Sequence, residues 1–113
     1  MTGKERRSST RVSTEVEIKY IHNKDYVVSF SSDISADGMF IHSETPLPKG
    51  ERIKLKFSVE GLKETKVDAE VMWVNVFGKS KDPGMGVRFI NPPSDLREAI
   101  IRMVNRVAVI EKM

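Results

Sequence analysis

Short segments in which apolar and polar residues alternate strictly are the feature that most constrains this chain. The alternation is clearest over residues 53–59 (Ile-Lys-Leu-Lys-Phe-Ser-Val) and 67–73 (Val-Asp-Ala-Glu-Val-Met-Trp). Successive side chains of a β-strand point to opposite faces, so each segment predicts a strand with one buried face. Four more segments have β character: residues 16–20, 26–31, 39–42 and 85–89.

Turn-forming residues separate these segments, and no helical pattern lies between them. The predicted turns and loops are His22–Asp25, Asp33–Gly38, Thr45–Gly50 and Phe77–Gly84. Strands joined by short turns without helical crossovers pair antiparallel. The pattern therefore predicts an all-β fold, either a closed six-stranded antiparallel barrel or a small sandwich.

One helix is predicted at the C-terminal end. Pro92-Pro93 ends the last strand, Ser94 is a suitable N-cap, and Asp95 falls in the first turn. Apolar residues then recur at three- and four-residue spacing: Leu96, Ile100, Met103, Val104 and Val107. We expect this amphipathic helix to pack on the barrel or close one end of it. An exposed apolar stripe that serves a partner or a second copy is the alternative.

Composition limits the chemistry that the chain can perform. Its 113 residues, 39% of them hydrophobic, fit one globular domain. The absence of Cys excludes thiol chemistry and disulfides, and two histidines, His22 and His42, cannot complete a metal site by themselves. No long apolar run or signal-like segment is present, so we expect a cytoplasmic protein that does not insert into membranes.

The positive charge is concentrated at the N-terminal end. Residues 1–11 hold Lys4, Arg6, Arg7 and Arg11 against Glu5, a net charge of +3, which is the formal net charge of the whole chain. A duplex-binding protein usually spreads its basic residues over a folded face, so neither DNA nor RNA is expected as a partner. A cationic segment beside a neutral domain suits a small anionic ligand, and a solvated terminus that only aids solubility is the alternative.

Two short motifs occur one after the other along the predicted strands. Arg7-Ser8-Ser9-Thr10-Arg11 precedes the first strand, and Asp33-Ile34-Ser35-Ala36-Asp37-Gly38 lies between two strands. Together with Thr45–Gly50 and the closing strand Met85–Phe89, they resemble the PilZ family over residues 6–107. The resemblance implies a six-stranded antiparallel PilZ-like β-barrel with a C-terminal α-helix. It divides the chain into a flexible basic arm (1–11), the barrel (12–91) and the helix of the same domain (92–113).

The resemblance also implies a ligand, the bacterial second messenger cyclic di-GMP, and a receptor role without catalysis. The family's R-x-x-x-R element maps onto Arg7 and Arg11, with Arg6 as a third cation. A guanidinium pairs bidentately with phosphate or with the guanine O6/N7 edge and stacks on purines. Asp33 complements the guanine N1–H and N2 donors.

Two further residues of the second motif are candidate ligand-binding residues. Ser35 offers a hydroxyl to the ligand or the loop. Gly38 permits positive φ or close approach of the ligand to the backbone. The competing interpretation of this segment is a plain turn in which Asp33 and Ser35 bond only their own backbone.

Three residues outside the two motifs could belong to the ligand site or could have a purely structural role. Trp73 continues the phase of Val71 and is expected to be buried, with a ligand contact as the alternative. Arg88 is expected to point to solvent, with a secondary chance of touching ligand. His42 is expected to be a surface residue and not a catalyst.

The leading hypothesis is a stand-alone cyclic di-GMP receptor whose arginine arm orders over the ligand and signals to an unidentified downstream protein. The alternative is a module of the same fold that binds a protein and no cyclic di-GMP. An enzyme acting on phosphate esters would need a metal or a general base beside a nucleophile, and the sequence suggests neither, so no catalytic residue, metal or cofactor is expected. Single-stranded nucleic-acid binding would need interleaved exposed aromatic residues, which are not evident. A monomer and a homodimer, and one or two ligands per protomer, all remain open.

Overall fold

The computed structural model describes residues 15–59, 62–76, 78 and 82–112. Arg6, Arg7 and Arg11 lie outside the described residues. Six strands and one helix follow in chain order: β1 (Val16–His22), β2 (Asp25–Ser35), β3 (Gly38–His42), β4 (Arg52–Val59), β5 (Leu62–Asn75), β6 (Gly84–Ile90) and α1 (Ser94–Lys112).

The strands close into an antiparallel barrel in the order β1-β2-β3-β6-β5-β4. This confirms the barrel and removes the sandwich alternative. The alternation of the sequence accounts for the interior, because Ile53, Leu55 and Phe57 of β4 are buried while the residues between them face outward. Ile18, Ile41 and Met85 meet them from other strands in one continuous core. Closure pairs the strand edges that an open sheet would leave exposed.

The β1–β2 hairpin turns where its sequence predicts, but the turn is shorter than the predicted His22–Asp25 and consists of two residues. Asn23 (φ 52°) and Lys24 (φ 76°) both take left-handed backbone conformations, as the tight turns of twisted hairpins require. The pairing runs from His22 opposite Asp25 to Val16 opposite Ser31. The start of β1 therefore lies beside the last third of β2.

The segment Asp33–Gly38 is more regular than the sequence suggests. The sequence predicts an interruption between two strands, whereas β2 continues through Ser35 and β3 begins at Gly38. Only Ala36 and Asp37 form the turn. The ladder continues because Asp33 pairs with Phe40 and Ser35 with Gly38.

Helix α1 packs its apolar face against the barrel, as expected. Leu96, Ala99, Ile100, Met103 and Val104 are buried within the same core cluster as the strand residues. The helix contacts β2, β4 and β5, and the Arg97 N–H donates to Pro93 O at its first turn (3.1 Å). Within the described residues, no helix has the length and hydrophobicity to span a membrane.

Adjacent isoleucines on α1 test this packing. Ile100 is fully buried, whereas Ile101 is 41% exposed. We expect Ile100→Ala to lower the free energy of unfolding by about 2–5 kcal/mol, because it removes buried methyl groups and leaves a cavity. Ile101→Ala should change it by about 0.5 kcal/mol or less. Urea denaturation of both variants measures the difference, and equal effects would contradict docking of this helix face.

Candidate functional site

An irregularity in β2 sets the direction of the Asp33 side chain. Ser31 and Ile34 are both fully buried although they are three residues apart, and the β2–β3 register shifts between Ser31 and Asp33. This extra residue is a β-bulge, which re-aims the side chains that follow it. Strict alternation from Ser31 would turn Asp33 inward. The bulge instead places Asp33, which is only partly buried, on the outer side of the barrel.

The Ser31 hydroxyl satisfies the backbone at this bulge. Its Oγ donates to the Asp33 carbonyl (3.3 Å) and accepts from the Asp33 N–H (3.4 Å). A buried polar group costs stability unless it is hydrogen-bonded, so this local pairing explains how a fully buried serine is tolerated. Sequence reasoning missed Ser31. Its position two residues before Asp33 is the signal that could have drawn attention to it.

A second irregularity in β5 corrects the prediction for Trp73. Its in-phase neighbours Val67, Ala69 and Val71 are buried as expected, but Trp73 itself is 46% exposed. The β5–β6 register shifts between Val71 and Trp73, which makes Met72 the extra residue and reverses the alternation. Val74 now packs against the core in the position that Trp73 would have taken. The expected burial of Trp73 is therefore wrong.

The two bulges place the candidate residues in adjacent rows across four strands. Pairing aligns Asp33 (β2), Phe40 (β3), Gly86 (β6) and Trp73 (β5) in one row. The next row holds Ser35, Gly38, Arg88 and Glu70 on the same strands. The strand neighbours between these rows, Ile34, Met39, Val87 and Val71, are buried in the core. Both rows therefore belong to the outer side of the barrel, and we call them the outer face.

Aromatic packing over a glycine fixes Trp73 on this face. Its indole stacks on Phe40 with ring centroids 5.3 Å apart and an interplanar angle of 21°. A Cβ at Gly86 would lie 2.2 Å from the indole, so only glycine leaves room for the ring to lie on β6. Phe40 also meets His42 edge-on at 5.0 Å, and His42 stacks on Phe30 at 4.5 Å. His42 is thus a half-buried member of an aromatic row.

Arg88 points outward, as predicted, and is held by a neighbour that sequence reasoning missed. Its Nη2 lies 3.2 Å from Oε1 of Glu70, the residue paired with it on β5. The Arg88 side chain remains 58% exposed in this ion pair. Exposed ion pairs contribute little to stability, so the guanidinium can exchange Glu70 for another anion at small cost.

Ser35 and Gly38 belong to the same row as Arg88 and flank the turn formed by Ala36 and Asp37. The Ser35 hydroxyl accepts from the Asp37 N–H (3.2 Å) and donates to Gly38 O (3.5 Å), which is the turn bonding that the sequence offered as an alternative. Gly38 does not adopt a positive φ, so the first of the two alternatives expected for it is wrong. The structure shows close packing of Gly38 on β6, because a Cβ at Gly38 would lie 2.1 Å from the carbonyl oxygen of Val87.

The turn is anchored to the rest of the molecule through Asp37 and Arg97. Arg97 of α1 donates from Nη1 to Asp37 Oδ1 (3.1 Å) and to Ala36 O (3.4 Å). The Phe89 N–H of β6 donates to Asp37 O (2.9 Å). Sequence reasoning missed Arg97, because only the fold brings a helix residue to this turn. Asp37 and Arg97 thus join the helix to the edge of the outer face.

The outer face coincides with none of three clefts found in the described part of the chain, and no cluster of metal ligands lies on it. Three clefts of about 390–480 Å³ open elsewhere on the barrel. Among the described residues, no group of three His, Asp or Glu side chains could hold a metal ion. The outer face therefore presents two carboxylates, Asp33 and Glu70, one guanidinium and a stacked indole.

Substitution of Gly86 tests the seat of the indole. We expect Gly86→Ala to cost about 1–3 kcal/mol of unfolding free energy, because the new methyl group overlaps Trp73. In a Trp73→Ala background the same substitution should cost much less, since the clash is gone. Urea denaturation of the four proteins measures this coupling. Additive effects would show that the indole does not lie on β6.

Comparison with known proteins identifies the fold and the family. The sequence matches the PilZ domain family over residues 5–106, and no curated protein sequence matches the chain. The c-di-GMP-bound PilZ domain of YcgR from Escherichia coli aligns with a TM-score of 0.68 at 21% identity, covering 95% of this chain and 97% of that one. MotI (DgrA), an inhibitor of motility from Bacillus subtilis, aligns with a TM-score of 0.78 at 18% identity, covering 96% of this chain.

The chain corresponds to only part of two of these relatives. It spans 56% of the MotI chain and 48% of the YcgR chain in the c-di-GMP complex, where the TM-score is 0.75 at 16% identity over 95% of this chain. At such identities the structural likeness establishes the barrel fold alone. The family match, which covers most of the sequence, establishes more: this chain belongs to the PilZ domain family.

Proposed function

We propose that this protein is a non-catalytic receptor for cyclic di-GMP. The observation that carries the proposal is the convergence of Asp33, Arg88 and Trp73 on one outer face through two β-bulges. These three residues supply an acceptor, a cation and an aromatic surface. The family match and the c-di-GMP complexes among its structural relatives support the same ligand.

The position of β1 supports a role for the arginine motif. Val16 pairs with Ser31, two residues before Asp33, so the chain enters the barrel beside the outer face. Arg11 is five residues before Val16, and an extended chain of that length reaches at most about 17 Å. The outer face is about 14 Å wide from β2 to β5, since it spans three gaps between strands. Arg7 and Arg11, with Arg6, are therefore within reach of a ligand on it.

The chemistry of each group fits one part of the ligand. Arg7 and Arg11 would pair with the phosphodiester anions or with the guanine O6/N7 edge. Asp33 would accept from the guanine N1–H and N2 groups. The exposed indole of Trp73 offers a flat surface on which a guanine can stack, and Arg88 can leave Glu70 for a phosphate. Ser35 and Gly38 would act by holding the turn and its backbone in place.

Signalling would follow from closure of the arginine segment over the ligand. The closed segment and the ligand together would present a surface that the free protein lacks, and a downstream protein would recognise it. We place this receptor in the cytoplasm. The alternative is a PilZ-fold module that binds a protein partner and no cyclic di-GMP, and the titration below decides between the two.

Isothermal titration of cyclic di-GMP tests the proposal. We expect the wild-type protein to bind in the micromolar range or more tightly, and Arg7→Ala/Arg11→Ala to abolish the heat. Asp33→Ala should weaken binding by about tenfold or more, because a hydrogen bond to a charged group contributes roughly 1.5–3 kcal/mol. Lys63→Ala removes an exposed charge on β5, seven residues before Glu70, which is the first outer-face residue of that strand; it is the control and should bind normally.

Three results would contradict the receptor assignment: no binding by the wild type, equal losses in Lys63→Ala and Asp33→Ala, or formation of a hydrolysis product. The first would favour the interaction module. The fitted stoichiometry of a positive titration also gives the number of ligands per protomer.

A further inference from the structure

Three lysines lie directly opposite one another on a different part of the barrel. The register pairs Lys19 of β1 with Lys56 of β4, and Lys56 with Lys66 of β5. Paired residues of neighbouring strands have Cβ atoms about 4.5–5.5 Å apart. Their strand neighbours Ile18, Leu55, Phe57 and Val67 are buried, so the row faces outward. We call these residues the lysine row.

The lysine row is electrostatically unfavourable in the free protein. Like charges directly opposite each other on neighbouring strands destabilise a sheet. Among the described residues, no carboxylate forms an ion pair with any of the three lysines, and the nearby Asp68 is bonded to Lys54 instead (3.3 Å). Glu15, Glu17 and Glu64 line a neighbouring cleft with Lys19 and Lys56 without forming such a pair. An unfavourable arrangement of this kind is relieved when an anion binds.

The three residues of the lysine row line a cleft. Its volume is about 460 Å³, and its charged lining consists of four lysines and a single carboxylate, Lys19, Lys54, Lys56, Lys66 and Asp68. Ile21 and Tyr26 form an apolar edge and are 43% and 55% exposed. The volume falls within the range of small-molecule sites.

The cleft shares no residue with the outer face, although Asp68 of the cleft lies only two residues before Glu70 on β5. Lys66 lies seven residues before Trp73 on β5, about 23 Å along a strand. The other two lysines are on β1 and β4, which contribute nothing to the outer face. The lysine row and the Trp73 end of the outer face are therefore distinct parts of the surface.

We propose that this cleft binds clustered phosphate groups. Lysine ammonium groups are compact donors that bind phosphate as point charges. Three of them in a row match several adjacent phosphate oxygens, and the apolar edge can contact the non-phosphate part of the same ligand. Two sources present such chemistry, a soluble polyphosphate or the headgroups of an anionic phospholipid surface.

Titration with inorganic tripolyphosphate at physiological salt is the first test, followed by flotation with vesicles of phosphatidylglycerol and of phosphatidylcholine. Lys56→Thr removes the central charge and keeps a residue suited to strands. We expect it to weaken binding at least tenfold, whereas Lys49→Thr should weaken it less than twofold. Lys56→Thr without ligand should unfold at the same temperature as the wild type or higher, because the repulsion is reduced.

The possible outcomes distinguish a soluble phosphate ligand from a lipid surface, and they distinguish the cleft from the arginine motif. Lys56-dependent binding of tripolyphosphate assigns a soluble phosphate ligand, and Lys56-dependent binding only to phosphatidylglycerol vesicles assigns a lipid surface. Binding of neither probe, or equal weakening by Lys56→Thr and Lys49→Thr, overturns the proposal. So does loss of tripolyphosphate binding in Arg7→Ala/Arg11→Ala, since the anion would then bind at the arginine motif. Lys56→Thr should still bind cyclic di-GMP, which makes failure here distinct from failure of the receptor assignment.

Discussion

Two β-bulges on the same cross-strand row determine what this barrel presents to solvent. One extra residue in β2, at Ser32, and one in β5, at Met72, reverse the alternation of each strand. Without them Asp33 and Trp73 would point into the core, where a carboxylate is costly and an indole would displace Val74. With them, a carboxylate and an aromatic ring stand about three strand spacings apart on one surface. The bulges leave the core continuous, because Ile34 and Val74 still pack inward.

Two glycines of β6 make room for the aromatic rings of the outer face. Gly86 leaves the space that the indole occupies, and a Cβ at Gly84 would lie 2.6 Å from the Phe40 ring. A glycine usually weakens a strand, but here each one permits an aromatic ring to lie on the backbone. The result is a row of rings from Trp73 through Phe40 and His42 to Phe30. This row is polarisable and rigid, since each ring is held by its neighbours.

Sequence reasoning predicted the strands and the helix, but it predicted the geometry of the candidate site only in part. Alternation in segments such as 53–59 predicted the strands, and the spacing of Leu96, Ile100 and Met103 predicted the helix and its buried face. Periodicity could not predict the bulges, because a register shift is decided by pairing between strands that are distant in sequence. That is why Trp73 was expected inside. Glu70 and Arg97 were missed for the same reason, since their partners Arg88 and Asp37 are brought near only by closure of the barrel.

The stack of Trp73 on Phe40 has a practical consequence. The chain contains one tryptophan, so its red-most ultraviolet emission arises from a single indole, partly exposed on the outer face. Any molecule that settles on this face changes the polarity around that ring or quenches it. Trp73 is therefore an intrinsic fluorescent reporter of ligand binding at the outer face, and it is distant from the lysine row. Events at the two surfaces could be told apart in one cuvette without attaching a dye.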